Sequence, residues 1–185
     1  MTASYKEITT RSNRKIYIFD DLFEYPWREQ AHQFCLNSHY KLGWHDSRIL
    51  ERSQDRYLHC ILSQEDLAAF GIVNQLSETS DDRLKELLNG KTARLANISL
   101  STATETYYPH FDDTKLTLLY YVNIEWNHYW GGETMFYEDP GTEIAYASNF
   151  VPGRLILFDG KIPHAARPQT MSAPHYRFSF VMFLV

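Results

Sequence analysis

From Thr92 to the end of the chain, the apolar residues come in runs too short and too often interrupted for helices. The runs lie at residues 93–101, 107–111, 116–124, 134–137, 143–147, 154–158, 163–166 and 176–184, with turn-forming pairs such as Gly131-Gly132 and Pro152-Gly153 between them. They are rich in Val, Ile, Thr, Tyr and Phe, side chains that suit pleated, half-buried surfaces. Eight short strands at this spacing predict a jelly roll or a related double-sheet barrel. The expected fold class is mainly β with flanking helices, an α+β arrangement.

The first half reads differently. Residues 15–19 predict a strand, 27–36 a helix opened by Pro26, and 57–62 a further strand. Ser63-Gln64-Glu65-Asp66 has the form of a capping box. Leu67, Phe70, Val73 and Leu76 follow at helical spacing and predict one amphipathic helix. A short helix over 81–88 ends at Asn89-Gly90, where glycine can take the left-handed conformation. This helical layer is expected to pack on one sheet and cover it. The 185 residues suit a single domain, with 1–91 as helical support and first strands and 92–185 as the β core. Residues 47–56, with Arg48, Arg52 and Arg56, read equally as a mobile loop or a solvated turn.

Charge and composition narrow the partners. With 18 Lys+Arg against 23 Asp+Glu and no basic run, the net charge of −5 argues against nucleic acid. Cys35 and Cys60 are the only cysteines, so no disulfide framework is needed and a reduced, cytoplasmic location is expected. Residues 1–14 are polar, and no window approaches a membrane-spanning apolar run, so neither secretion nor a membrane partner is expected.

The chemistry sits in the β half. His110 and Asp112 are two apart on a predicted strand and leave the same face, while Phe111 points away. His164 follows the strand at 154–158 and its turn, which can carry it across the barrel to the first pair. Two imidazoles and one carboxylate on one face of an octahedral Fe(II) leave three positions open, the arrangement of non-haem iron oxygenases. Arg177, thirteen residues beyond His164, is a candidate anion clamp. A His-x-Asp pair alone is weak evidence, because a single histidine is more often structural than a ligand. Arg167 lies in a predicted loop before Pro168 and is the poorer clamp. His175 follows Pro174, too close to Arg177 to face it across a pocket. The other histidines have no partner at ligand spacing.

Several ordered parts extend this pattern. They are Tyr108-Pro109-His110-Phe111-Asp112, Leu118-Leu119-Tyr120-Tyr121-Val122-Asn123, Trp130-Gly131-Gly132-Glu133-Thr134, Pro152-Gly153-Arg154-Leu155-Ile156-Leu157-Phe158, Pro163-His164 and Tyr176-Arg177-Phe178-Ser179. In these parts the chain resembles the 2-oxoglutarate- and Fe(II)-dependent dioxygenases, specifically their prolyl 4-hydroxylase-like branch, over roughly 94–185. The resemblance implies a double-stranded β-helix with Fe(II) held by His110, Asp112 and His164. It also implies 2-oxoglutarate and O2 as co-substrates, and it admits ascorbate as an accessory. Arg177 matches the residue that holds the far carboxylate of 2-oxoglutarate, and Tyr121 one whose phenol often joins it. Leu119, Tyr121 and Asn123 share one strand face and Tyr120 the other, so only one of the two tyrosines faces the interior; Tyr121 is chosen. Ser179 and Phe183 share the face of Arg177, and Phe183 is expected to wall the co-substrate pocket. Relatives often carry a tyrosine about ten residues before the first histidine. Leu100 stands there, leaving Tyr107 or Tyr108 as other sources of a phenol.

The expected activity is hydroxylation of an unactivated C–H bond, since halogenases of this superfamily lack the carboxylate that Asp112 supplies. Peptidyl proline is the first expected substrate, with a free amino acid or other small molecule as the alternative. A non-catalytic, metal-binding jelly-roll module is the competing reading. A zinc hydrolase would need a placed general base, and the sequence nominates none.

Overall fold

Antiparallel pairing builds most of what the β pattern foretold in this computed structural model, and adds strands it did not. The structure describes residues 4–42, 58–103, 108–139, 143–173 and 176–185. Eleven strands appear among them: β1 (Ser4–Thr9), β2 (Lys15–Asp20), β3 (Lys41–Leu42), β4 (Leu58–Ile61), β5 (Ala93–Ser101), β6 (Leu116–Tyr121), β7 (Thr134–Tyr137), β8 (Ile144–Ser148), β9 (Leu155–Asp159), β10 (His164–Ala166) and β11 (Arg177–Leu184). The major sheet has the order β1-β2-β9-β6-β11-β5-β4-β3, and the minor sheet β10-β7-β8. Four α-helices lie among the described residues, α1 (Tyr25–Asn37), α2 (Gln64–Phe70), α3 (Ile72–Glu78) and α4 (Asp82–Leu88), with a single 3-10 turn at His128–Trp130.

The alternation of side chains along the strands divides the core in two. On one face of the major sheet, Ile98, Leu100, Leu118, Tyr120, Leu155, Leu157, Phe178 and Phe180 pack against Trp27, Ala31 and Cys35 of α1 and against Leu67, Phe70, Ile72, Leu76 and Leu84. The helical layer thus covers one sheet, as expected. Each large side chain so buried contributes about 1.5–3 kcal/mol. On the other face, Ile16, Ile18, Leu119, Tyr121, Ile156 and Phe158 meet Phe136 of the minor sheet. This second, inner layer positions the site.

Two expectations are corrected, and strand β1 was not foreseen. The single helix through Leu67, Phe70, Val73 and Leu76 is two seven-residue helices, because Gly71 at φ +78° ends α2 in a left-handed cap. A Cβ at Gly71 would sit 3.3 Å from Trp27 Nε1, so the same glycine also makes room for that ring. Val73 is accordingly exposed and Ile72 takes the buried place. The capping box is present, with Ser63 Oγ accepting from the Asp66 backbone N–H. The polar N-terminus contains β1, whose pairing with β2 extends the major sheet. It is an edge strand with almost no buried side chain, so it carries no apolar alternation to read. The other correction is that 107–111 is not a strand in the described residues: His110 makes one isolated bridge, to His164. The run 47–56 lies outside the described residues. Among those described, no helix is long and apolar enough to cross a membrane.

Candidate metal centre and anion clamp

His110, Asp112 and His164 converge although no continuous strand holds the first two. The His110 backbone N–H donates to the His164 carbonyl at 3.0 Å, and the return bond measures 2.7 Å. Two residues on, the Asp112 N–H donates to Gly160 O at 2.7 Å. These bonds clamp an extended tripeptide against β10 and the turn before it, so its side chains alternate as in a strand. Phe111 points outward, 65% exposed. Gly160 is required here: a Cβ would stand 2.3 Å from Thr114 Oγ1 and 2.7 Å from the Thr114 carbonyl.

One ligand atom from each of the three side chains lies within 4.8 Å of the others. His164 Nε2 is 3.6 Å from Asp112 Oδ2, and His110 Nε2 is 3.9 Å from Asp112 Oδ1. Nδ1 of His110 is 3.1 Å from the Tyr108 carbonyl, and Nδ1 of His164 is 3.0 Å from the Ile162 carbonyl. A carbonyl only accepts, so each Nδ1 carries the proton and each Nε2 keeps its lone pair for an ion. Two such nitrogens and a carboxylate fit a facial Fe(II) site. His110 is 53% exposed at its side chain, leaving the ring room to adjust.

Thr117, which the sequence reading did not single out, completes the carboxylate's setting. Its hydroxyl donates to Asp112 Oδ2 at 2.6 Å and lies 3.2 Å from Thr114 Oγ1, all in a buried cluster. Strand parity would have found it, since Thr117 shares a face with Leu119 and Tyr121. Thr117→Val should weaken Fe(II) binding by about 10–100-fold, read by anaerobic titration, while Thr117→Ser restores it. Equal affinities in all three proteins would refute this role.

Burial, and then the neighbouring His110 imidazole, hold His164 well below the ordinary imidazole value of 6.5. The folded state therefore refuses a proton that the unfolded chain accepts. Stability from this group is complete above about pH 6.5 and is lost progressively as the pH falls below it. The metal-free protein should lose melting temperature from pH 6.5 downward, and His164→Gln should flatten that slope. An unchanged slope in the variant would count against the buried neutral imidazole.

The clamp candidates separate cleanly. Arg167 is exposed. Arg177 is 1% exposed and lies inside. Its Nε donates to Gly132 O at 2.9 Å, Nη1 to Ser179 Oγ at 3.3 Å and Nη2 to Thr134 Oγ1 at 3.4 Å. The guanidinium also lies over the Tyr121 and Phe150 rings, 5.6 and 4.9 Å from their centroids. Gly132, at φ +84°, admits this side chain: a Cβ there would approach Arg177 Cδ to 3.2 Å. Tyr121 is fully buried and its hydroxyl donates to Thr134 Oγ1 at 2.8 Å. Burial pushes its phenol up, against the opposing pull of Arg177, so it remains a donor. Tyr120 faces the helical layer instead.

Register orders the inner face. Directly paired residues share a face, so Thr117 of β6, paired with Phe183 of β11, marks the end at the His110, Asp112 and His164 cluster. Tyr121, paired with Ser179, marks the end at Arg177. Phe183 therefore lies beside Thr117, toward the His110, Asp112 and His164 cluster, rather than beside Arg177. Leu100 packs in the helical-side core and cannot reach the interior. Its neighbours Ser99 and Ser101 do, paired with Ser179 and Arg177. Tyr108 is partly exposed beside His110. Tyr107 and His175 lie outside the described residues.

The family model described as the 2OG-Fe(II) oxygenase superfamily matches residues 95–185. Among solved structures, a prolyl hydroxylase from Trichoplax adhaerens, in complex with a hypoxia inducible factor peptide fragment, aligns with TM-score 0.66 at 18% identity, covering 91% of this chain and 82% of that one. A Pseudomonas putida prolyl-4-hydroxylase aligns with TM-score 0.66 at 15% identity, covering 93% and 94%. The α-ketoglutarate-dependent epimerase SnoN from nogalamycin biosynthesis aligns with TM-score 0.64 at 12% identity, covering 92% and 77%. At these identities the likeness is one of fold. No curated protein matches the chain.

Proposed function

Residues 95–185 of this chain belong to the 2OG-Fe(II) oxygenase superfamily, and from that premise we propose that the protein is a 2-oxoglutarate- and Fe(II)-dependent dioxygenase that hydroxylates an unactivated C–H bond. One observation carries the reading: a His-Asp-His donor set and a buried arginine serve opposite ends of one inner sheet face. Along β6 the two ends are marked by Thr117 and Tyr121, four residues apart, or about 13 Å of extended chain. A five-carbon diacid, one metal bond and the reach of a guanidinium fill such a gap.

Each residue then has a task. His110 and His164 would hold the iron through Nε2, since their Nδ1 protons are tied to carbonyls. Asp112 supplies the one anionic donor, oriented by Thr117. Arg177 meets the far carboxylate with a planar fork that stays charged at any working pH, and Tyr121 and Thr134 set the floor beneath it. Burial of the clamp keeps water from competing for the carboxylate. Iron held there would supply the redox chemistry by which oxidative decarboxylation of 2-oxoglutarate is coupled to hydroxylation. Asp112 occupies the place a halide would need, which favours hydroxylation.

The whole chain, 1–185, acts as one oxygenase domain in this reading, with 1–91 supporting the core. The prolyl hydroxylase neighbours favour a proline-containing peptide as substrate; a free amino acid or other small molecule is the alternative, because loops outside the barrel make that choice. Anaerobic addition of Fe(II) and 2-oxoglutarate should give a weak visible metal-to-ligand charge-transfer band. Air and ascorbate should then yield succinate, more of it when substrate is present. No band and no succinate would sink the oxygenase reading.

A further inference from the structure

One position in a cross-strand row of the major sheet departs from the rest of that row. Ile18, Ile156, Leu119, Val181, Asn97 and Ile61 are paired in register across β2, β9, β6, β11, β5 and β4, so all six side chains leave the same face. Five are apolar. Asn97 is the exception, and it is only 5% exposed. Its amide nitrogen lies 3.3 Å from Ser99 Oγ, while its amide oxygen is buried and meets no donor among the described residues. An unmet acceptor in such a place destabilises the fold, and an apolar residue would suit the row better.

The row's position says what the amide is for. It runs between the row of Thr117, which holds Asp112, and the row of Tyr121 and Ser179, which serves the clamp. The apolar cluster between the two sheets reaches as far as Val181. Asn97 stands one strand beyond it, beside the span between metal and clamp, and Ile61 next to it is 47% exposed. Resting on the oxygenase reading, we propose that Asn97 is a specificity-determining residue whose amide oxygen accepts a hydrogen bond from an N–H or O–H of the primary substrate. The substrate class is therefore a donor-bearing one, such as a free amino acid with its ammonium group. The tertiary amide nitrogen of peptidyl proline has no hydrogen to give, so a peptide would have to supply the donor from a neighbouring residue.

Asn97→Leu tests this twice, on the full-length chain. Without any substrate, the variant should melt about 2–4 °C higher than the unsubstituted protein, as expected when an unmet buried polar group is replaced by an apolar one. A fall of several degrees would show that the amide serves the fold and would overturn the proposal. In turnover, free L-amino acids, their N-acetyl forms and proline-containing peptides are compared for stimulation of succinate release by the Fe(II)-loaded protein. For any compound that stimulates, Asn97→Leu should lower its kcat/KM at least tenfold while the KM for 2-oxoglutarate stays within about twofold; an unchanged kcat/KM would also overturn the proposal. Where no compound stimulates, the melting comparison decides alone. Absence of the charge-transfer band in the unsubstituted protein would strike the oxygenase reading instead, and the two failures remain distinct.

Discussion

Asp112→Asn should abolish Fe(II) binding at micromolar metal while leaving the melting temperature of the metal-free protein within a few degrees. Asp112 is the only anionic donor of the three, so its loss leaves a cation two neutral imidazoles and no charge to balance its own. Removing one partner of a buried charge pair costs about 3–5 kcal/mol, which is two to three orders of magnitude or more in affinity. Asparagine is the informative substitution. Its side-chain oxygen can still accept from Thr117, whose hydroxyl otherwise loses a 2.6 Å partner inside a buried cluster. Asp112→Ala would remove the metal and also leave that donor unmet, at a further cost of about 1–3 kcal/mol to the fold. Isothermal titration with Fe(II) under anaerobic conditions, paired with a thermal melt, separates the two effects. Retained tight binding by Asp112→Asn would refute Asp112 as a ligand.

The second large effect is expected at the other end of the same face. Arg177→Met should raise the KM for 2-oxoglutarate by about 30-fold to several thousandfold, the equivalent of about 2–5 kcal/mol for one truncated partner of a buried charge pair. Fe(II) affinity should change little, because Arg177 serves the clamp end of the face. Arg177→Lys keeps the charge and loses the fork, so its KM should fall between the two. Methionine leaves Gly132 O without the 2.9 Å donor it now has, and the melting temperature will drop somewhat. The diagnostic sign is therefore the split between the two ligands: co-substrate binding lost, metal binding kept. A KM unchanged in Arg177→Met would remove Arg177 from the clamp.

Much of the fold could be read before any coordinates. The strands at 93–101 and 134–137 fall at the predicted limits, and the capping box before α2 is present. Period-two alternation put Tyr120 and Tyr121 on opposite faces, and the family resemblance chose Tyr121 for the interior; the structure has Tyr121 in the inner cluster and Tyr120 against the helices. Other elements left no such mark. The edge strand β1 buries almost nothing, so its existence rests on pairing with β2 and not on its own side chains. The break at Gly71 lies inside a run whose apolar spacing is helical; the left-handed φ and the Trp27 ring beside it, not the spacing, decide it.

The candidate site divides along the same line. The residue types and their order, His110-Phe111-Asp112, then His164, then Arg177, are properties of the chain itself, because donor chemistry belongs to side chains and alternation belongs to any extended backbone. That the three ligand atoms lie within 4.8 Å is a tertiary fact. It comes from two non-local contacts, the bridge between His110 and His164 and the bond from Asp112 to Gly160. Tertiary structure alone also chose Thr117 as the partner of Asp112, turned Leu100 out of the interior in favour of Ser99 and Ser101, and set Asn97 in an apolar row. Each of these depends on which strands lie side by side and in what register. A single chain's local pattern says which face a residue takes, but not what waits for it across the sheet.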